Sequence, residues 1–303
     1  MRIKISDKIT VITTEQGFTY ANWIHINDDI SALIETGMDR DGLMGLDPER
    51  IDLAVNSHHH LDHIRGNAMF SNAALMIHGL EADLIQDAGR HRIANSLDEW
   101  RTLMPEDDRS LADDELQAAY GAVDPFPFES GQSVVTVSDG QLLDFGSVKA
   151  QVLHTPGHSA GHCCFFFPEE NLLYSADVCL TKAGPWYGEH LADPGQMTAS
   201  IDRLIALAPE RMISGHIHAL VYDCVPRLRE FKSRIISREE RIYRSLVACP
   251  KDIHRLAEEK LIYRSHGSQY VVFWEKLMLM KHIEKLRERG LVRAESGVFY
   301  GVR

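Results

Sequence analysis

Six consecutive residues, His58-His59-His60-Leu61-Asp62-His63, constrain this chain more than any other part of it. They follow the apolar run Ile51-Asp52-Leu53-Ala54-Val55, which reads as a buried strand. Side chains alternate along an extended strand end, so His58 and His60 share one side and can reach one ion. Asp62 and His63 fall where the chain turns and can reach a second ion about 3.5–4 Å from the first. Imidazoles and a carboxylate gathered this closely are the ligands a divalent transition metal takes. A solvated histidine cluster is the competing explanation. The position directly behind a buried strand, and the Asp set among the histidines, argue against it.

The surrounding pattern alternates strands with helices. Lys8–Thr14, Tyr20–Ile26 and Ile30–Gly37 carry β-branched and apolar residues in strand-like runs. Residues 80–122 lack a strand pattern and are expected to be helical, as an insertion beside the histidine segment. Strands return at Ser133–Val137, Gln141–Gly146, Val148–Thr155, Cys163–Phe167 and Asn171–Val178, with hairpin residues at Pro168–Asn171. Met197–Leu207 is an amphipathic helix, and Arg211–Ser214 a short strand. Beyond about residue 222 the apolar spacing becomes helical. A long helix, a second from Pro250 to about Ile262, and a third over Gln269–Arg289 precede a hairpin turning at Ser296-Gly297.

The histidine segment resembles the HxHxDH motif of the metallo-β-lactamase superfamily, and three later segments resemble that family's remaining motifs in order. His154-Thr155-Pro156-Gly157-His158-Ser159-Ala160-Gly161-His162 is similar to TPGHxxGH, Ser175-Ala176-Asp177 to the GD segment, and Ser214-Gly215-His216 to PGH. The resemblance implies His58, His60 and His158 on one divalent metal and Asp62, His63 and His216 on a second, with Asp177 bridging. Zinc is the default ion, and iron or manganese also suits the ligands. The implied architecture is a four-layer α/β/β/α sandwich over residues 1–222 and a helical, winged-helix-like domain over 223–303. Ser214 replaces the usual Pro, Ala176 stands where Gly is commoner, and Glu35-Thr36-Gly37 replaces Asp-x-Gly; none of these is a ligand. His59, His154 and His162 are expected to be structural. His218 could reach the site mouth, and Trp186 and Tyr187 could line a pocket.

Two ions sharing Asp177 would supply a bridging hydroxide as nucleophile, with Asp62 and Asp177 as the catalytic carboxylates. The expected reaction is hydrolysis of a small ester, thioester or lactone. Endoribonuclease or other phosphodiesterase action is the alternative, and an idle metal-binding or sensing module is a third.

Charge bears on that choice. Residues 1–225 hold 14 Lys and Arg against 34 Asp and Glu, a net −20; residues 226–303 hold 18 against 10, a net +8. The tail resembles that of the winged-helix-tailed β-lactamase-like protein 2 group, which includes an endoribonuclease. Its bases, among them Arg238, Arg241, Arg244, Arg255, Lys260, Arg264, Lys281, Lys285, Arg287, Arg289 and Arg293, could track phosphates. They interleave with glutamates, however, and an acidic body repels a long polyanion. A lid or docking role therefore outweighs nucleic-acid binding, and a small molecule is the expected partner. Val271–Trp274 could serve a homodimer, but the tail's own core is the favoured place for them. Five cysteines without CxxC spacing suit buried apolar roles in a reducing compartment. No run is apolar enough to span a bilayer and Met1–Thr10 carries no leader pattern, so a cytoplasmic location and no membrane partner are expected.

Overall fold

Strict alternation along the strands sorts their side chains onto two faces, which dictates sheets covered on both sides. The computed structural model describes residues 1–14, 20–38, 45–105 and 132–303. Within them β1 (Arg2–Lys4), β2 (Ile9–Ile12), β3 (Trp23–Asn27) and β4 (Ser31–Ile34) pair antiparallel in order. The same sheet continues in parallel through β5 (Leu53–Val55), β6 (Ala74–His78) and β7 (Val134–Val137). A second sheet runs β8 (Leu142–Asp144), β9 (Lys149–His154), β10 (Cys163–Phe167) and β11 (Leu172–Tyr174) antiparallel, then β12 (Arg211–Ile213) parallel to β11.

The inward faces meet in one apolar layer. Ile9, Val11, Ile24, Ile26 and Ile34 pack against Val152, Phe165, Phe167 and Tyr174. Neighbouring residues on the same strands turn the other way: Trp23 and Leu33 belong to an outer layer with Leu61, Ile64 and Phe70, and Cys164 and Leu153 to another with Ile201 and Leu204. Each large side chain so buried contributes about 1.5–3 kcal/mol. The short helix α1 (Leu61–Ile64) covers the first sheet. Residues expected to form a helical insertion carry α2 (Ala88–Ala94) and α3 (Trp100–Leu103); the expected stretch from 106 to 122 lies outside the described residues. Outside the second sheet lies α4 (Pro194–Leu207), started by Asp193, whose carboxylate accepts from the N–H groups of Gly195 and Gln196. The four layers α/β/β/α are complete.

The tail follows as α5 (Cys224–Ala248), α6 (Ile253–Glu258), α7 (Gln269–Glu288) and the hairpin β13 (Val292–Glu295)–β14 (Val298–Gly301). Ser296 and Gly297 both take positive φ, 49° and 79°, as a two-residue hairpin turn requires. The second helix ends earlier than its spacing predicts, because Lys260 adopts a φ of 55° just past its end. Leu228, Phe231, Leu279 and Ile283 of the tail share one core with Leu173 and Met212 of the second sheet. Phe273 packs on Trp100, ring centroids 4.8 Å apart, and with Leu97 and Leu103. This corrects the expectation for Val271–Trp274: Phe273 binds the insertion around α3 rather than the tail's own core.

Candidate metal centre

All the ligand-bearing loops leave the two sheets at one edge. His58–His63 follow β5, His158 follows β9, Asp177 follows β11 and His216 follows β12. Two glycines make the close approach feasible. A Cβ on Gly37 would lie 1.9 Å from the carbonyl oxygen of Asp62, and one on Gly157, at φ 124°, 2.1 Å from the backbone nitrogen of Met197. Glu35 and Ala176 adopt φ of 67° and 42° without being glycine, so backbone strain is concentrated beside the cluster.

Seven side chains converge. Nε2 of His58, Nδ1 of His60 and Nε2 of His158 form a triangle with sides of 2.9, 3.0 and 3.2 Å. Asp177 Oδ2 lies 3.3 Å from His158 Nε2, and its Oδ1 lies 3.1 Å from Nε2 of both His63 and His216. Asp62 Oδ2 is 3.2 Å from His216 Nε2 and 3.6 Å from His63 Nε2. A tetrahedral ion with nitrogens at about 2.0–2.1 Å has ligand–ligand edges of about 3.3 Å. The donors fit a metal: His63 Nε2 and Asp177 Oδ1 are buried and close, yet form no hydrogen bond.

The ring nitrogens facing away from the cluster are held individually. His58 Nδ1 lies 2.8 Å from Ser57 Oγ, and His158 Nδ1 donates to the Trp186 carbonyl at 2.9 Å. His60 Nε2 lies 3.1 Å from Glu189 Oε2, and His63 Nδ1 3.2 Å from Glu35 Oε1. Such partners select the tautomer and the ring orientation of a ligating histidine. Glu35 differs from the others: it lies beside His63 as a charge without a hydrogen bond to it, and its carboxylate accepts from the Ser57 N–H.

Burial splits the histidines into two electrostatic groups. It pushes His58 well below its ordinary value, His60 to about 3 and His158 to about 4, leaving these rings neutral and able to bind a cation. Burial also opposes charge on His63 and His216, but adjacent carboxylates outweigh it. Asp62, Glu35 and Asp177 hold His63 well above its ordinary value, and Asp177 and Asp62 hold His216 at about 9. Asp62 and Asp177 are kept ionised against burial, by His63 and His216.

The histidines expected to be structural have protein partners. His59 Nδ1 meets Glu81 at 2.9 Å, His154 donates from Nε2 to the Ala160 carbonyl, and His162 Nε2 accepts the Asp177 N–H at 3.1 Å. Glu81 also takes the Ser159 hydroxyl and the Gly161 N–H, binding the His59 and His158 loops together.

Over the cluster opens a cavity of about 210 Å³. Its wall includes His60, Asp62, His158 and Asp177, with Leu97, Trp186, Tyr263, Tyr270 and Trp274. Trp186 thus lies where the sequence suggested. Tyr187 and His218 do not line it, which corrects that expectation. Tyr187 is fully buried with its hydroxyl 2.8 Å from His282 Nε2, because the chain alternates there and turns it into the core under α7; His218 is exposed. Sequence reasoning missed Glu81 and Glu189, lone carboxylates without any local pattern, and the three aromatics from the tail. Glu35 was marked only by its departure from Asp-x-Gly.

The family model described as metallo-beta-lactamase superfamily matches residues 15–216. The chain belongs to the metallo-beta-lactamase superfamily. Among curated relatives it is similar to a hydroxyacylglutathione hydrolase from Rhizobium meliloti (strain 1021), 37% identical over 86 residues, which are 28% of this chain and 33% of that protein. The chain therefore spans about a third of the length of such curated relatives. The solved metallo-beta-lactamase family protein TTHA1429 from Thermus thermophilus superposes with a TM-score of 0.77 at 21% identity, over 99% of this chain and 100% of that one. That likeness shows a shared fold, tail included. TTHA1623, solved in a di-iron-bound form, superposes with a TM-score of 0.52 at 25% identity, over 71% of this chain and 96% of that one. Superfamily members bind divalent metal ions, and the His/Asp clusters here suit that role. No described helix is long and apolar enough to cross a membrane.

Proposed function

We infer that this superfamily member is a metal-dependent hydrolase of a small, largely apolar ester, thioester or lactone. Its two ions would be held by His58, His60 and His158, by Asp62, His63 and His216, and by Asp177 between them. The observation that carries this reading is the shared Asp177, whose two oxygens face two separate histidine groups. Divalent ions bound there polarise a carbonyl oxygen and lower the pKa of water from about 16 towards 7. Zinc is the default occupant, and the two irons of TTHA1623 make iron the competing one.

The chain's own groups do the rest. Asp62, ionised and facing the cavity, can take the proton of an attacking water. Trp186, Tyr263, Tyr270 and Trp274 give the substrate an apolar wall and exclude bulk water. Among the described residues lining this cavity there is no Lys or Arg, which favours a neutral acyl group over a polyphosphate at the metals. Relatives named hydroxyacylglutathione hydrolase make a thioester the first class to test.

Endoribonuclease action is the second reading, and the basic tail is the feature behind it. Two of those bases are paired with carboxylates of the tail itself: Arg244 with Glu240 and Arg289 with Glu239. The two readings separate when zinc-loaded protein is offered a simple thioester, a lactone and a short single-stranded RNA, with and without chelator. Chelator-sensitive turnover of the acyl compounds alone, lost in Asp177→Asn, is expected. RNA cleavage with the same sensitivities would reverse the assignment.

A further inference from the structure

Beside the metal-facing cavity, and sharing Ala183 and Tyr263 with it, lies a second cleft of about 940 Å³. Lys182, Arg234, Arg238, Arg241, Lys260 and Arg264 line it, with Glu230 the one carboxylate among the described lining residues. Five of these six cations come from the basic tail and Lys182 from the acidic body, so the cleft lies where the two meet. Carbonyl groups fix three of the guanidinium groups, and for Arg238 and Arg241 the partners are carbonyls with no carboxylate among them. Arg234 donates to the carbonyls of Thr181 and Lys182, at 3.1 and 3.0 Å, besides pairing with Glu230. Arg241 donates to Leu261, at 2.6 Å. Arg238, only 3% exposed, donates to the carbonyls of Pro185 and Ala183. Lys182, Lys260 and Arg264 stand exposed around them.

A buried guanidinium held by carbonyls rather than by a carboxylate retains its full charge and favours an external anion. One carboxylate is satisfied by one bidentate arginine, whereas six cations around one cleft match a ligand with several phosphate oxygens. The neighbouring cavity is apolar and faces the metal ligands. An occupant spanning both therefore has an uncharged acyl end and a polyanionic end. We propose that the cleft binds the phosphate-bearing thiol portion of a thioester whose acyl group enters the metal-facing cavity. This rests on the hydrolase reading above and narrows its substrate class.

The phosphate site is tested apart from turnover. Adenosine 3′,5′-bisphosphate, titrated calorimetrically into the full-length metal-loaded protein, is expected to bind, and Lys260→Glu and Arg264→Glu each to weaken it at least tenfold. In parallel, phenylacetyl thioesters of coenzyme A and of N-acetylcysteamine are compared by kcat/KM. The phosphate-bearing ester is expected to be preferred at least tenfold, and the ratio to shrink in both variants. Failure of the bisphosphate to bind at millimolar concentration, or binding unchanged in both variants, overturns the proposal. If both thioesters then turn over equally, the hydrolase reading survives that failure. If neither thioester turns over while the bisphosphate binds and the variants weaken it, the phosphate site stands and the acyl chemistry is what falls. Single-stranded RNA that binds the cleft, is cleaved, and is not displaced by the bisphosphate would assign it to nucleic acid instead.

Discussion

Oε2 of Glu189 lies 3.1 Å from Nε2 of His60, on the far side of the ring from the Nδ1 that meets His58 and His158. The carboxylate thereby favours the tautomer with its proton on Nε2 and leaves Nδ1 as a lone pair for a cation. The two residues are far apart in sequence and neither predicts the other.

Removing that partner is expected to weaken metal binding without touching a ligand. Glu189→Ala should lower affinity by about tenfold to a hundredfold, and Glu189→Gln, which keeps an acceptor oxygen, should recover part of the loss. Competition against a chromophoric chelator reads this directly. Wild-type affinity in the Ala variant would show that the contact does not orient His60.

Stability of the metal-free protein should peak near pH 6.5. Burial lowers His60 to about 3, His158 to about 4 and His162 to about 3, so the unfolded chain takes up protons first and stability falls as pH drops below about 6.5. His216 acts oppositely: burial resists its charge, but Asp177 and Asp62 raise it to about 9. Its contribution is complete below 6.5 and is lost as pH rises through 9. Thermal midpoints of chelator-treated protein from pH 5 to 9 test the sign. A midpoint still climbing between pH 7 and 9 would contradict it.

Tyr187 is expected to matter for folding rather than for chemistry. Its hydroxyl meets His282 Nε2 at 2.8 Å and Arg238 at 3.3 Å, joining the 183–188 loop to α5 and α7. Tyr187→Phe should cost about 1–2 kcal/mol in urea unfolding by leaving these groups short of a partner. Metal content should stay at the wild-type level. A variant as stable as wild type would show that the hydroxyl contributes nothing.

Trp274, contributed by α7, is expected to act on substrate binding. Trp274→Ala should raise KM for an aromatic acyl ester severalfold while kcat and metal content change little, because it removes apolar wall but no ligand. Steady-state kinetics with metal analysis of the same preparation would decide it. A fall in kcat with KM unchanged would indicate a role in the reacting arrangement instead.

Much of the fold and site was legible in the sequence. The strands showed themselves by alternation, as in Ile9–Ile12, where every second residue is buried. The seven converging side chains were legible because four short motifs carry them in order, each at a strand end where local spacing already sets direction. The tail's helix–helix–helix–hairpin order was equally clear, down to the Ser296-Gly297 turn.

Tertiary structure alone decided what surrounds the seven. Glu81 and Glu189 are isolated carboxylates whose partners lie 22 and 129 residues away in sequence, so no periodicity marks them. Tyr263, Tyr270 and Trp274 read as ordinary tail aromatics until α7 packs over the cluster and makes them cavity wall. Tyr187 and Trp186 are adjacent, yet one is core and the other pocket. The physical reason is the same in each case. Local sequence sets which way a side chain leaves its own strand or helix, whereas its partner depends on how distant surfaces pack.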